Sequence, residues 1–407
     1  MEEMPVAAIP PEGAENRPGP FRAYVGPLLL LTSIFFLNFI GRIIQAPLMP
    51  AIEQELEISH SAAGSLFLTI SMGYFVSLMG SGFVAARLKH RGTIVLSSVA
   101  VGLALLVTAA SSSLWAVRGG LLLLGLAAGL YLPCGIATLT GFVERRHWGK
   151  AVAVHELAPN LSFVLAPLFA EAVLIWFSWR SALVALGIAA ILLSLVFARR
   201  SRAGDFAGEA PNFGSLKALA AEPSFWLMVF LFSLGIGSTF GIYTMLPLFL
   251  VSEHGLDRDF ANAIVASSRL IGVFMALVGG WVTDRVGPRR TLGIVFLLTG
   301  VFTLALGLAP TRWVAYAVIL QPIVAVCFFP AGFAALAMVV PPKARNIAVS
   351  FTTPLAFLIG GGAVPTLIGV AGDARSFGLG IAIVGGMIVV GALASRFLRF
   401  ERPHAKQ

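Results

Sequence analysis

Long apolar runs, each broken by a short cluster of charged and turn-forming residues, repeat along the chain from residue 24 to residue 398. Cutting at those clusters gives segments at 24–52, 61–86, 93–112, 115–143, 151–178, 180–198, 223–251, 260–283, 291–309, 312–340, 346–370 and 376–398. A helix needs roughly 20 apolar residues to cross the hydrocarbon core, and in lipid its backbone N–H and C=O groups must be satisfied within the segment. The runs fit that length and lack the alternation, over about ten residues, of a membrane barrel. The pattern therefore predicts an all-α membrane protein of twelve transmembrane helices.

Composition strengthens this reading. The 407 residues are 58% hydrophobic and 12% charged, with a mean hydropathy of +0.91, more apolar surface than a soluble domain hides behind a polar shell. The longest polar interruption, 199–222, falls at mid-chain and divides two six-helix bundles, 23–198 and 223–400. A tail at 1–22, acidic and proline-rich, has no apolar core and reads as disordered and not as a signal peptide; residues 401–407 form a second tail. The halves echo each other: Gly82 and Gly280 lie 198 apart, Pro47 and Pro247 200, Pro133 and Pro330 197, and Pro159 and Pro354 195. One offset near 200 in four helices marks a parallel internal repeat.

Charge placement orients the chain. The net charge of +9 suggests nucleic acid until the cations are located. Twenty-one of the 28 lie in the tails and in the loops after even segments, and five, Arg118, Arg180, Arg258, Arg312 and Arg375, lie in the opposite loops. The acids Glu53, Glu55, Glu57, Glu253, Asp257 and Asp259 take that opposite side. The positive-inside rule then places both termini in the cytoplasm, in a plasma membrane, with lipid and not nucleic acid as the partner. Cys134 and Cys327 fall in apolar runs and read as packing residues, with no disulfide, metal or cofactor implied. No P-loop and no nucleophile with a base in reach supports an enzyme. Trp179 and Arg180 read as an interface anchor.

Two arginines break the apolar pattern. Arg269 stands eleven residues before Gly280 and Arg42 eleven before Glu53. At 1.5 Å per residue each is about 16 Å from its end of the membrane, close to half of a ~30 Å core. An arginine there costs roughly 2.5 kcal/mol or more and must face an aqueous cavity or a partner. Its planar fork matches a carboxylate or phosphate. The alternative is pairing with a membrane acid, and only Glu156 and Glu171 lie within the segments, both on helix 5. Asn38, Gln45, Tyr131, Asn160, Tyr243, Gln321, Phe328 and Phe329 are further candidates for a pocket, each with ordinary interhelical packing as its plainer role. His155 and Glu156, close after Lys150, read as a gate or cap, with a proton relay as the alternative.

The loop after segment 8, Gly280-Trp-Val-Thr-Asp284-Arg285-Val-Gly287-Pro-Arg289-Arg290, matches the G-x-x-x-D-R-x-G-x-R-R motif of the major facilitator superfamily. Twelve helices, a central loop and cytoplasmic termini extend that resemblance over nearly the whole chain. It implies two pseudo-symmetric six-helix bundles and a latch on the cytoplasmic side involving Asp284, Arg285, Arg289 and, in the first half, Arg87. The first-half copy, Gly82 to Arg91, has Ala86 where the acid belongs, so its latch is expected to be weaker. The helix 5 signatures of antiporters and nitrate carriers are missing. Asn38-Phe-Ile-Gly41-Arg42 resembles the N-Y-x-D-R stretch of the family's organic anion carriers, with Gly41 replacing the acid, and Arg269 is similar in place to the helix 8 arginine of monocarboxylate carriers. The glycine run Gly360-Gly361-Gly362 reads as close packing or a hinge.

These features together predict a monomeric transporter of a small organic anion, a mono- or dicarboxylate, working by alternating access, with a proton as a candidate co-substrate. An exporter of hydrophobic compounds and a non-transporting membrane sensor or scaffold are the competing expectations.

Overall fold

The computed structural model of the protein describes residues 21–209, 219–340, 345–374, 376–398 and 400. Most of the first tail, residues 210–218 of the central loop with Lys217, Lys343, Arg375 and the tail 401–407 lie outside the described residues.

Twelve helical spans and no strand occur among the described residues. They are α1 (Arg22–Leu56), α2 (60–88), α3 (90–109), α4 (Leu114–Phe142), α5 (Arg145–Leu174) and α6 (Trp179–Arg200). The second bundle follows as α7 (Pro223–Ser252), α8 (258–286), α9 (Pro288–Gly307), α10 (Thr311–Val339), α11 (Ala348–Ala374) and α12 (Phe377–Phe397). Side chains such as Leu96, Leu103 and Val107 form an exposed apolar surface around the bundles, and Trp115, Trp176 and Trp313 stand exposed near helix ends. Trp179 does not join them. It is buried, donating from Nε1 to Glu55 Oε2 at 2.7 Å, so it ties α6 to the end of α1.

Prolines shape the spans near the inter-bundle cleft. Helical continuity is interrupted at Ile44, Leu130, Glu156 and Cys327, each three residues before Pro47, Pro133, Pro159 or Pro330. A proline cannot donate to the carbonyl four residues back, and its ring crowds that carbonyl, so the helix yields just before it. Four of the six landmark prolines of the repeat are thus its joints, while Pro247 and Pro354 lie within continuous helix. In α7 and α11 the adjustment is a π-helical stretch, Gly237–Gly241 and Phe357–Ala363, and Gly360 of the glycine run packs against the α7 backbone there. The break in α8 at Arg269–Ile271 has no proline behind it.

The repeat extends to contacts. Gly102 and Gly187 bring α3 and α6 together so closely that a Cβ on either would lie 2.6 or 2.8 Å from the other's carbonyl oxygen. Gly300 and Gly385 do the same for α9 and α12, at 3.0 and 3.1 Å, and each sits 198 positions after its counterpart. Arg91 donates to Ala198 O and Ser201 O at the end of α6, and Arg289 donates to Leu398 O at the end of α12. The turn between α2 and α3 carries Lys89 at φ 61°, where the turn between α8 and α9 carries Gly287 at φ 89°.

Residues 201–209 of the central loop lie against this first turn. His90 N donates to Phe206 O, Arg91 N to Gly204 O and Gly208 N to Ala85 O. Lys89 Nζ pairs with Asp205 at 2.9 Å and holds that carboxyl below its ordinary pKa. The acid missing at Ala86 is therefore replaced, as a partner for the basic turn, by one from the central loop.

Candidate substrate site

Arg42 and Arg269 both lie on the surface where the bundles meet. Arg42 closes the first half of α1, two residues before its break, and is 3% exposed. Its guanidinium lies 4.3 Å from the Tyr74 ring centroid, 4.8 Å from Phe39 and 5.9 Å from Phe357 of the second bundle. A cavity of about 10 Å³, room for one water, opens beside it between Ser71, Tyr74, Phe240 and Phe357. Arg269 sits at the break in α8, with its guanidinium 4.8 Å from Tyr243 and 5.0 Å from Phe163 of the first bundle. One nitrogen, Nη2, donates to Thr239 O at 3.1 Å. The Nε of each arginine is buried without a hydrogen-bond partner.

A layer of rings joins the two positions. The Phe240 centroid lies 6.3 Å from Phe39, 6.2 Å from Phe163 and 5.7 Å from Phe357. Each arginine thus rests on rings from both bundles. Cation–π contact contributes about 0.5 to 2 kcal/mol to such a cation, yet leaves the in-plane Nε–H of each arginine unused.

Neither arginine is in an ion pair among the described residues. Neither membrane acid reaches the arginines: Glu156 is half-exposed beside His155 Nδ1, at 3.7 Å, and Glu171 accepts from Arg258 Nε at 3.0 Å and Asn262 Nδ2 at 2.6 Å. The sequence alternative of arginines neutralised by helix 5 acids does not hold.

Four of the pocket candidates are turned into their own bundles. Asn38 donates to Ser97 Oγ and Ala128 O, both at 3.3 Å, and Gln45 to Gly41 O at 3.5 Å. Tyr131 donates to Leu31 O at 3.0 Å, and Gln321 donates to Ser238 O at 2.9 Å. The physical reason is common to all: an amide or hydroxyl away from water takes whatever backbone carbonyl is near. Phe328 is buried between Phe232 and Phe296, and Phe329 stands half-buried against it. Tyr243 does belong with Arg269, and its hydroxyl donates across the bundles to Phe163 O at 3.2 Å. Asn160 donates to Glu156 O at 2.7 Å, within its own helix.

The gating candidates are also redistributed. Asp284 is exposed and in no ion pair among the described residues, so the expected cluster with Arg285, Arg289 and Arg290 is not formed. Arg285 stacks on Trp281 at 4.2 Å, Arg289 caps α12, and Arg87 is exposed. Exposed charges gain little by pairing over staying hydrated. His155 is not a surface gate: it is fully buried, its ring 4.4 Å from Phe35.

What does join the bundles lies between α5 and α7, at Tyr243, and at the acid-bearing end. Asp373 of α11 accepts from His60 N and Ser61 N at the start of α2, at 2.8 and 2.9 Å. Arg258 and Asn262 of α8 hold Glu171 of α5, and Asn262 also reaches Pro47 O. At the basic end no hydrogen bond or ion pair links the bundles among the described residues. A vestibule of about 430 Å³ at the acidic end, lined by Glu53, Gln54, Glu57, Ser252 and Arg258, contains neither Arg42 nor Arg269.

A family model described as Major Facilitator Superfamily matches residues 31–277 and 240–407. The chain belongs to the major facilitator superfamily. Among curated proteins of this superfamily of membrane transporters, the 4-hydroxybenzoate transporter PcaK of Pseudomonas putida is 26% identical over 320 residues, 69% of this chain and 70% of that protein. The membrane sensor protein UhpC of Escherichia coli (strain K12) is 26% identical over 301 residues, covering 68% and 67%. The fold is that of a bacterial homolog to the human lysosomal transporter Spinster, crystallised in an inward-facing and unoccupied conformation. The TM-score is 0.80 at 18% identity, over 94% of this chain and 98% of that one.

The aromatic cages were not foreseen. Phe39 was within reach of the sequence, three residues before Arg42 and so on the same helical face. Tyr74, Phe163, Phe240 and Phe357 come from other helices and carry no local signal.

Proposed function

We propose that this major facilitator protein is a secondary transporter of a small organic anion, held by its carboxylate at Arg42, Arg269 or both, and moved by alternating access. The observation that carries the reading is two arginines at the seam between the bundles, Arg42 buried and Arg269 half-buried, stacked on rings and unpaired with any acid among the described residues. An anion entering the seam completes their unused donors and neutralises buried positive charge, which lowers the cost of occluding the site. The similarity to a 4-hydroxybenzoate transporter supports a carboxylate, and the ring-lined seam suits one with an apolar or aromatic body. By the positive-inside rule the basic end is cytoplasmic, with both termini there and the protein acting as a monomer in a plasma membrane. Closure at the acidic end then makes this the inward-facing state.

A second reading, a membrane sensor on the same fold, is favoured by the equal identity to UhpC. It shares the binding site and differs in moving nothing.

The test is thermal stability of the detergent-purified protein with 4-hydroxybenzoate, other small carboxylates, phosphate and the matching amides, followed by uptake in proteoliposomes. A ligand at 100 times its Kd raises stability by about 2.7 kcal/mol. Stabilisation by a carboxylate and not its amide, lost in Arg269→Gln and Arg42→Gln, with uptake, is the expected result. Binding without uptake selects the sensor. No anion-dependent shift, or an unchanged one in both variants, overturns the arginine site.

A further inference from the structure

Buried His155 and its half-exposed neighbour Glu156 leave an unfilled place for one proton. The Tyr131 hydroxyl lies 3.0 Å from Leu31 O and 3.1 Å from His155 Nε2. Its single hydrogen goes to the carbonyl, which only accepts, so His155 must donate from Nε2 to the hydroxyl oxygen. The neutral imidazole is thereby fixed in one tautomer, with the lone pair on Nδ1. That Nδ1 is buried with no hydrogen-bond partner and faces Glu156 Oε1 at 3.7 Å. The buried lone pair is left without a donor, and one proton shared with the half-exposed carboxylate satisfies it.

The surroundings are those of a site and not of a packing accident. The imidazole stacks on the Phe35 ring of α1 at 4.4 Å, and Phe35 in turn stacks at 5.1 Å on the Tyr131 ring of α4 that carries the hydroxyl held by Nε2. The titratable groups around the pair are Tyr131 and, one turn along α4, buried Cys134, together with buried Tyr74 of α2, which packs against Arg42; Lys150 stands exposed five residues before His155. Glu156 is half-exposed, on the α5 stripe that also carries Asn160, Phe163 and Glu171, the face that meets the second bundle. The carboxylate can therefore exchange a proton with water in the cleft while the imidazole cannot reach water directly. Phe35 also touches Phe39 at 6.1 Å, and Phe39 lies under Arg42.

We infer that His155 and Glu156 form the binding site for a proton that travels with the anion, a reading that rests on the transport function proposed above. A proton from cleft water binds at Nδ1, shared with Glu156, and is released unchanged to water; no other bond forms or breaks. The bound proton adds positive charge near the anion site, so proton and anion each favour the other's binding.

Two measurements in the full-length protein test this. In proteoliposomes, 4-hydroxybenzoate is followed both as accumulation driven by an imposed pH gradient and as counterflow at equal pH, which moves no net proton. Glu156→Gln and His155→Gln are expected to lower the ratio of accumulation to counterflow at least tenfold. A ratio unchanged in both variants, or wild-type counterflow with no response to the gradient, overturns the proton site and leaves the anion carrier standing. Absence of counterflow in wild type with any carboxylate instead fails the transport reading. In that case ¹⁵N-histidine spectra in lipid nanodiscs decide the site itself. One resonance, missing in His155→Gln, should show an Nε2–H tautomer that gains a proton on Nδ1 as the pH falls, and Glu156→Gln should alter that titration. A His155 signal that does not respond to pH overturns the inference.

Discussion

Lys89 holds a backbone conformation that belongs to glycine. Its φ of 61° and ψ of 166° fall in a region that costs a residue with a Cβ about 1 to 3 kcal/mol. The corresponding turn in the second half has Gly287 at φ 89° and ψ 148°. Three backbone hydrogen bonds from the central loop and the Asp205 carboxylate hold the first turn in place. Replacing Lys89 with glycine removes the strain, and the extra unfolded-chain entropy of glycine and the lost surface ion pair return part of it. Lys89→Gly is expected to raise stability by about 1 kcal/mol, and Gly287→Lys to lower it by about 1 to 3 kcal/mol. Denaturation midpoints in detergent check both; a loss of stability in Lys89→Gly would show that the turn is held by Lys89 and not strained by it.

At the scale of helices, the bundles are built around places where two backbones nearly touch. In lipid there is no hydrophobic drive between helices, so packing and small residues carry association. Gly102 with Gly187, and Gly300 with Gly385, serve the same contact in the two halves. Gly102→Leu and Gly300→Leu should each destabilise by about 1 to 3 kcal/mol through overpacking. Gly119→Leu and Gly386→Leu, where an added Cβ meets nothing within 4 Å, should cost far less. Thermal midpoints of the four variants test the assignment. Similar losses in all four would mean that the repeat of close contacts is not what sets stability.

At the scale of the molecule, two polar clamps hold the acidic end shut. Glu171 takes bonds from Arg258 and Asn262 across the seam, and Asp373 caps the start of α2 from α11. Charged hydrogen bonds of this type contribute roughly 1.5 to 3 kcal/mol, and 1.4 kcal/mol shifts a two-state ratio tenfold. Glu171→Gln keeps the volume and removes the charge, so it should move the population about tenfold toward opening at this end. Electron–electron distances between spin labels at Ser112 and Leu308 should lengthen, and those between labels at Arg87 and Val286 should shorten. Unchanged distances at both ends would place the lock elsewhere.

The fold was legible because lipid constrains the chain so tightly: a span must be helical, apolar and of a given length, and cations must gather at one end. That alone determined twelve helices in two bundles, and it predicted the midplane depth of Arg42 and Arg269. The three proline pairs at an offset near 200 were visible too, and tertiary structure showed that four of their six members, Pro47, Pro133, Pro159 and Pro330, mark joints. Which way a polar side chain turns was not legible. Asn38, Tyr131 and Gln321 have the composition of pocket residues, yet each takes a neighbouring helix's carbonyl, a choice set by who stands beside it. The rings on which the arginines rest, the clamp of Glu171 by α8 and the facing of His155 Nδ1 to Glu156 likewise depend on helix rotation and crossing. A sequence pattern records burial depth along one helix; only packing decides its rotation, and with it the partners a side chain meets.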